Sequence, residues 1–366
     1  MIDWTSTRRT ALAGMAATIA FPAAAKRTVT LIAGTYAREG GKGLYPVVYD
    51  PARDDWRVGN PISGIDDASF GTGGGPSGAF YLVREGADGA VAAYAPGWTR
   101  RGRSSTDGAD PCYVALDAGS ACLAVANYSS GSVTFHRLDL RTGVPGDPKV
   151  FSHAGTGPDH SRQDAPHAHW VGFSPDRRWL HAVDLGADTI FAYRFDPTAR
   201  TLAPPVVAWR ASAGAGPRHL VRHPRLSLAY VVCELSNTLG MLDVRADGGF
   251  ATRQTVSTLP AGYRAASQAA HIAVDHAGRR LYVSNRGHDS IAVFALDTAG
   301  VPTLLQHIAT GGHWPRYFLL LEAQRRMVVA NERSGTLTIF RIASDGRLSA
   351  TEQRLPVPGA VFLDRL

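Results

Sequence analysis

The stretch "HIAVDHAGRRLYVSNRGHDSIAVF", from His271 to Phe294, decides the fold of this chain. Its segments "HIAV", "LYVSN" and "SIAVF" have the short runs and period-two alternation of β-strands, and polar residues separate them. The first gap contains Asp, Gly and Arg, which is typical of a tight turn between antiparallel strands. The stretch therefore predicts one small antiparallel sheet, and its recurrence along the chain would indicate a repeat fold.

The unit recurs at intervals of 46 to 56 residues. Each copy has the same order of strand, turn, strand, polar loop and strand. The further copies begin at Tyr113, His169, His219 and Tyr317. A repeat of about 45–55 residues with several short strands is the sequence signature of a β-propeller blade. No stretch after residue 26 has the sustained period of a long helix.

The two ends of the chain complete the repeat. One early copy is "FYLVREGADGAVAAY", from Phe80 to Tyr94, and the earliest begins at Val29 without a strand ahead of it. The segment "VPGAVFLD" near the end of the chain is a candidate for this missing strand. We therefore predict that residues 361–363 form the inner strand of the first blade. Such pairing leaves no unpaired sheet edge. The fold class expected is all-β, a seven-bladed propeller in one domain over residues 26–366.

Residues 1–25 have the layout of an export signal. Arg8 and Arg9 precede an apolar run from Ala11 to Phe21, and small residues follow where a signal peptidase cleaves. The arginine pair is typical of a Tat signal, which exports folded proteins, so we expect a periplasmic protein. A merely basic N-terminal helix is the alternative.

Composition limits the partners. The 366 residues carry a formal charge of +7, and the basic residues are scattered rather than clustered in a stripe. We therefore expect no nucleic-acid partner, and no segment is long enough for a membrane span. Isolated arginines in turns suit an anionic small molecule instead. We expect a monomer or a weak dimer.

The chain has three cysteines, Cys112, Cys122 and Cys233, and they form no metal-binding pattern. Cys112 and Cys122 flank a turn and could be bridged across a hairpin in an oxidising compartment. Reduced and buried thiols are the favoured interpretation, because free cysteine behaves as a small hydrophobe.

A propeller brings equivalent positions of its repeats together at one mouth of the central channel. Imidazole and guanidinium groups stand ahead of the inner strands, and carboxylates or amides stand after the second strands. We expect catalytic roles for His169, Arg218, Glu234 and Arg286. We expect substrate contacts from His167, His219, Asp184, Asn285, Arg316 and Asn331.

Each of these candidates has a structural alternative. Glu234 follows the apolar strand "YVVC" and is either paired or functional, since an unpaired buried charge is costly. A salt bridge with Glu234 is the alternative role for Arg218. Asp184 and Asn331 could be ordinary turn formers. His167 and His169 could seat zinc with a third ligand, but acid–base chemistry is favoured and no metal is expected.

Several motifs resemble the seven-bladed lactonase family, which includes bacterial 6-phosphogluconolactonase and fungal carboxy-muconate cyclase. The motifs are "PHAHWVGFSPD", "GPRHLVRHP", "AYVVCEL", "LYVSNRGHDSIAVF" and "WPRYF". The resemblance covers nearly all of residues 28–366. It implies a seven-bladed propeller, lactone chemistry without a metal or cofactor, and a site containing His169, Arg218, Glu234 and Arg286.

These observations together predict hydrolysis of a sugar lactone to the aldonic acid. The substrate expected is a small anionic or polyhydroxy lactone. Glu234 or His169 would take a proton from the attacking water, and Arg218 and Arg286 would stabilise the oxyanion. Two alternatives remain, a propeller that binds a ligand or protein without catalysis and a cyclase of the muconate type that forms the lactone.

Overall fold

The computed structural model describes residues 28–366, which form seven antiparallel sheets. In chain order the strands are β1 Val29–Thr35, β2 Tyr45–Asp50, β3 Asp55–Val58, β4 Gly71–Thr72, β5 Phe80–Arg84, β6 Ala90–Tyr94, β7 Arg100–Ser105, β8 Pro111–Asp117, β9 Cys122–Asn127, β10 Ser132–Arg137, β11 Lys149–Ser152, β12 Ala168–Phe173, β13 Trp179–Asp184, β14 Thr189–Asp196, β15 Thr201–Leu202, β16 Val206–Arg210, β17 Pro217–Arg222, β18 Leu228–Cys233, β19 Thr238–Val244, β20 Phe250–Ser257, β21 Gln268–Val274, β22 Arg280–Arg286, β23 Ser290–Leu296, β24 Pro302–Ala309, β25 Pro315–Leu321, β26 Arg326–Asn331, β27 Thr336–Ile342, β28 Leu348–Pro356 and β29 Ala360–Arg365. The predicted export signal lies outside the described residues.

Each sheet is one blade, and the blades follow one another in sequence. Blades 2 to 7 are β4–β7, β8–β11, β12–β16, β17–β20, β21–β24 and β25–β28. The helices of the described residues are the 3-10 turns Ala37–Glu39, Pro76–Gly78 and Glu322–Gln324. No helix of residues 28–366 is long and apolar enough to cross a membrane. The prediction of an all-β, seven-bladed propeller is confirmed.

Blade 1 joins the two ends of the described chain. Its strand order is β29-β1-β2-β3, and β29 pairs antiparallel with β1 from Leu31 opposite Arg365 to Thr35 opposite Ala360. The prediction that residues 361–363 form the inner strand of the first blade is therefore confirmed. This pairing closes the ring without leaving β1 as an exposed sheet edge.

The apolar cores lie between neighbouring blades. The second strands β9, β18 and β26 are buried along their whole length, because each is covered on both faces by an adjacent sheet. The outer strands β20 and β28 instead expose most of their side chains. Continuous apolar runs therefore mark the second strands, and polar alternation marks the rim.

Four hydrogen bonds of one type connect successive blades. In each, a side chain of a second strand donates to the carbonyl of a turn glycine in the next blade. The donors and acceptors are Tyr81 Oη to Gly143, His181 Nε2 to Gly248, Tyr230 Oη to Gly300 and Tyr282 Oη to Gly346, over 2.5–3.0 Å. At Gly300 the φ angle is 78°, and a Cβ would lie 2.5 Å from Leu228. Glycine is required there both for the left-handed conformation and for the close approach.

The closure of the ring can be tested at Phe362, which is 1% exposed and packs against the rings of Phe70 and Tyr317. We expect Phe362→Ala to lower the free energy of unfolding by about 3–5 kcal/mol, because it leaves a cavity in a closed core. Urea unfolding measures this change. Leu366→Ala, at an exposed position of the same terminus, is the control and should stay within about 0.5 kcal/mol of the wild type. Equal midpoints for the two variants would contradict a closed ring.

Candidate active site

A β-bulge in the inner strand positions the polar side chains at one mouth of the channel. In five blades the pairing of the first and second strands skips one inner-strand residue, which is polar or ionisable in four of them: Cys112, His169, Arg218, Arg316 and Val361. A bulge leaves its extra residue out of the ladder and redirects that side chain. The same backbone irregularity therefore presents a thiol, an imidazole and two guanidinium groups.

A second repeated position lies beside the bulge, one residue beyond the last pair of the second strand. Its backbone N–H donates to the carbonyl two residues before the bulge in five blades, as from Glu234 to Gly216 and from Glu332 to Trp314, and in blade 2 Glu85 donates to Asp67. The position is occupied around the ring by Tyr36, Glu85, Tyr128, Leu185, Glu234, Arg286 and Glu332. The bulge and this neighbouring position together account for most of the ionisable groups at the mouth.

Two alignments made from the sequence were wrong by one residue. The pattern placed His169 at the same position as His219, but His169 is the bulged residue and Trp170 is the equivalent of His219. The pattern also placed Glu234 with Asn331, but Cys233 is the equivalent of that asparagine. Both errors arise because the sequence was aligned on residue type: a histidine is the bulged residue in blade 4 but follows the bulge in blade 5, and the strand-end position of Asn331 holds a cysteine in blade 5.

Glu234 is the centre of the charged cluster. Its Oε2 lies 2.6 Å from Nη2 of Arg286 and 3.0 Å from Nε of Arg218, and its Oε1 accepts a bond of 2.6 Å from Arg162. Glu234, Arg218 and Arg286 are 1%, 2% and 4% exposed. Burial by itself raises the pKa of Glu234, but the three guanidinium charges outweigh burial and hold its pKa well below the ordinary value. The carboxylate is therefore ionised and a weak proton acceptor.

Arg162 was not predicted from the sequence. It lies in the loop between β11 and β12, where the chain passes from blade 3 to blade 4, and its Nη2 also donates to Tyr128 Oη over 3.2 Å. The interval from Tyr113 to His169 is the longest among the recognised repeats. That extra length was the available signal that a loop reaches into the mouth.

His169 is a buried, neutral imidazole beside this cluster. It is 5% exposed, and burial followed by the charge of Arg218 lowers its pKa well below the ordinary value. Its Nδ1 lies 3.7 Å from Cys112 Sγ. Its Nε2 has no hydrogen-bond partner within residues 28–366. The ring is therefore unprotonated at neutral pH, and its Nε2 is available to a molecule in the mouth.

Arg316 differs from the other arginines of the mouth. Its side chain is 17% exposed, and Nη1 lies 3.5 Å from Oε2 of Glu332, but the guanidinium makes no hydrogen bond to a described residue. It lies over the ring of Tyr36, whose Oη donates to Glu85 over 2.8 Å. A planar fork with free N–H groups is suited to bind a carboxylate, a phosphate or a developing oxyanion.

His219 and His271 continue inward from Arg218. Nη1 of Arg218 donates to Nε2 of His219 over 3.1 Å, and Nδ1 of His219 lies 3.2 Å from Nδ1 of His271. A guanidinium can only donate, so Nε2 of His219 is unprotonated and its Nδ1–H donates to His271. Burial and Arg218 lower the pKa of both rings. Both rings are therefore neutral, and the remaining proton of His271 is on Nε2.

Aromatic rings close the channel beneath the cluster. The rings contact one another in a circuit with centroid distances of 3.8–5.7 Å. This aromatic collar consists of Phe362, Phe70, Tyr113, His219, His271 and Tyr317. The mouth is therefore a blind site, since the collar separates it from the other end of the channel.

The other predicted contacts divide into two groups. His167 stacks on Tyr128 at 4.5 Å, and the edge of His169 faces the same ring, so both predicted histidines reach the mouth. The side chains of Asp184, Asn285 and Asn331 are instead fully buried and bonded to His167, Thr258 and Thr338. These bonds fit a structural role, and the expected substrate contacts at the three positions stay predictions.

Asp184 supports the site from behind. Its Oδ1 accepts from the backbone N–H of His167 and Ala187, and its Oδ2 lies 2.6 Å from Nδ1 of the buried His153. The three cysteines are free and buried, and Cys122 pairs across its hairpin with Asp117 rather than with Cys112. No group of three His, Cys, Asp or Glu within residues 28–366 is arranged to hold a metal.

The coupling of Glu234 to its arginines can be measured as stability. We expect Glu234→Gln to lower the free energy of unfolding by about 3–5 kcal/mol at pH 7, because it leaves buried guanidinium charges uncompensated. The pKa of Glu234 is lower in the folded state, so its contribution is complete above the unfolded value of 4.5 and decreases as the pH falls. Urea unfolding at pH 7 and pH 4 measures both effects. Glu352→Gln, on exposed β28, is the control, and equal stability of the two variants would contradict the coupling.

Known proteins resemble this chain over almost its whole length. The family model for lactonases with a seven-bladed β-propeller matches residues 30–364. The 6-phosphogluconolactonase of Bacillus subtilis is 32% identical over 89% of this chain and 95% of that protein. The structure of the periplasmic gluconolactonase PpgL of Pseudomonas aeruginosa has a TM-score of 0.86 and 28% identity, covering 93% of this chain and 99% of that one. A putative 6-phosphogluconolactonase from Bacteroides fragilis has a TM-score of 0.85 and 27% identity, covering 94% of this chain and 100% of that one. The chain belongs to the seven-bladed β-propeller lactonase family.

Proposed function

We propose that the protein hydrolyses a 1,5-lactone of a sugar acid to the open aldonic acid. One observation carries the proposal: a neutral imidazole with a free nitrogen, His169, lies beside arginines in a blind mouth. Ester hydrolysis needs a base for water and a positive group for the carbonyl oxygen, and these two groups supply them. The names of the Bacillus and Pseudomonas relatives support the same reaction.

In the proposed reaction His169 acts as the base. Nε2 of His169 accepts a proton as water attacks the lactone carbonyl carbon, and the carbonyl oxygen becomes an oxyanion. The ring C–O bond then breaks, and the leaving alkoxide takes the proton back from the imidazolium. One water is added, and no cofactor takes part in these steps. Sugar lactones also hydrolyse in water, so the acceleration required of the protein is modest.

Glu234 is the less suitable base. A carboxylate that accepts a hydrogen bond from Arg162 and forms salt bridges with Arg218 and Arg286 would have to lose part of that interaction to bind a proton. Its role in this proposal is to keep the buried guanidinium groups together and oriented. The base is therefore assigned to His169, and Glu234 becomes a positioning residue.

The arginines of the mouth favour a substrate that carries or develops negative charge. The cluster has five arginines against three glutamates, which leaves two formal positive charges: Arg38, Arg162, Arg218, Arg286 and Arg316 with Glu85, Glu234 and Glu332. Arg316 is the guanidinium with free donors, so we assign it to the oxyanion or to an anionic group of the substrate.

The export signal bears on the substrate. Phosphorylated sugar lactones are made in the cytoplasm, whereas a periplasmic enzyme would meet unphosphorylated aldonolactones. We therefore propose a plain aldonolactone as the substrate and the periplasm as the compartment. The word "periplasmic" in the name of the Pseudomonas relative supports this combination.

The proposed reaction is tested with glucono-1,5-lactone. We expect turnover above the spontaneous rate, and we expect His169→Gln to lower kcat by about 10²-fold or more. The low pKa of His169 keeps the imidazole unprotonated near neutrality, so the wild-type rate should be level there and fall only in acid. A pH–rate profile from pH 4 to pH 8 measures this fall of the rate in acid, which should be absent in the variant.

The control is His160→Gln, an exposed histidine of the loop that carries Arg162. Identical rates for the wild type and the blank would rule out this hydrolysis. Product analysis distinguishes the aldonic acid from a newly formed lactone, which is the product that a cyclase would give.

The proposed location is tested by changing Arg8 and Arg9 together to lysine. A Tat signal requires its arginine pair, so we expect the full-length variant to remain in the cytoplasm while the wild type reaches the periplasm. Fractionation followed by detection of the protein measures the distribution. Changing Arg100 and Arg101 to lysine conserves charge in the same way at an outer strand and should leave export intact. Equal export of all three proteins would contradict a Tat route.

A further inference from the structure

The end of the channel opposite the active site contains a separate cavity. It has a volume of about 330 Å³ and is lined by the last residues of two inner strands, Phe173 of β12 and Arg222 of β17. The active-site residues His169 and Arg218 lie at the beginning of the same strands. His219 and His271 of the aromatic collar form the inner end of this cavity. A space of this volume suits a molecule with one ring and is larger than one water needs.

Arg222 supplies a guanidinium group that forms no salt bridge within residues 28–366. One N–H of its guanidinium bonds Nδ1 of His181 over 3.2 Å, and the group lies 5.4 Å from the ring centre of Phe250. His181 is neutral there, since burial and Arg222 lower its pKa to about 4. No acidic side chain within residues 28–366 forms a salt bridge with Arg222, and its other N–H groups make no hydrogen bond to them. These donors are available to an anion in the cavity.

His271 supplies a second donor at the inner end. The chain of hydrogen bonds from Arg218 through His219 to His271 places the proton of the neutral His271 ring on Nε2. This N–H has no acceptor among the described residues, although His271 is only 8% exposed. The N–H is therefore accessible from the cavity, where an acceptor on a bound molecule could pair with it.

The walls between these donors are mainly aromatic. Tyr113 and Trp170 pack against each other at 5.8 Å, and Phe173 lies nearby on the strand that carries Trp170. Such walls suit a flat apolar ring. They do not suit a sugar, because its hydroxyl groups would lose hydrogen bonds to water without gaining protein partners.

We propose that this cavity binds a monocyclic aromatic carboxylate. The carboxylate bonds Arg222, the ring packs against Tyr113, Trp170 and Phe173, and an oxygen on the far side of the ring accepts from His271. This inference does not depend on the proposed lactone hydrolysis, since the aromatic collar separates the two sites.

Isothermal titration calorimetry with 4-hydroxybenzoate at pH 7 tests the proposal. We expect saturable binding with a Kd of about 1 mM or lower, as is reasonable for a ligand of this size. Arg222→Gln should weaken binding at least tenfold. Arg225→Gln removes the same charge from an exposed position of the adjoining turn and should leave Kd unchanged. Arg316→Gln, on the active-site side of the collar, should also leave Kd unchanged.

A series of ligands gives a second test that requires no variant to fold. 4-Hydroxybenzyl alcohol lacks the carboxylate and should bind far more weakly, whereas benzoate lacks the far oxygen and should bind with intermediate Kd. Absence of saturable binding to the wild type would overturn the proposal. Loss of binding in Arg316→Gln with retention in Arg222→Gln would also overturn it, because the ligand would then lie in the active-site mouth.

Discussion

One extra residue in the inner strand is the constraint on which the active site depends. A regular inner strand alternates its side chains between the two neighbouring blades, where they join the apolar cores. The bulge releases a single residue from that alternation and presents it at the mouth. Because the bulge recurs at Cys112, His169, Arg218 and Arg316, blades distant in sequence contribute polar groups to one place. The strands beyond each bulge regain their pairing, so the apolar cores remain continuous.

Burying the charged side chains of the mouth so close together costs free energy, which their mutual salt bridges offset. Three guanidinium groups share the carboxylate of Glu234, and removal from water strengthens every interaction among them. The aromatic collar contributes to this environment because it stops water from entering along the channel. The same environment keeps His169 neutral. Burial thus determines both which group can accept a proton and which groups stay charged.

The repeat unit, the number of blades and the closing strand could all be predicted, because each appears as an apolar pattern with a regular interval. The position of His169 relative to His219 could not, since the two histidines occupy neighbouring positions of their repeats and the apolar pattern is the same around both. The roles of Asp184 and Asn331 were left open between turn former and substrate contact for another reason. An amide or carboxylate at a strand end looks the same in sequence whether it faces a ligand or bonds its own loop.

Arg162 and Tyr36 show a further limit of the sequence. Arg162 reaches Glu234 from a loop between blades, and nothing in the repeat reveals the direction of a loop. Tyr36 occupies the position that Glu234 has in its own blade, but it follows β1, which becomes a second strand only after β29 is added. Its place in the mouth therefore depends on a partner more than 300 residues away.

That distance has a consequence for the order of folding. Leu31 pairs with Arg365, so blade 1 cannot be complete until the chain has been synthesised through β29. The entropic cost of joining such distant segments grows only with the logarithm of their separation. The pairing of β1 with β29 is therefore thermodynamically possible, but it forms late in folding. A nascent chain that carries blades 2 to 7 still lacks the strand that positions Tyr36. The charged mouth is therefore completed only when β29 docks beside β1.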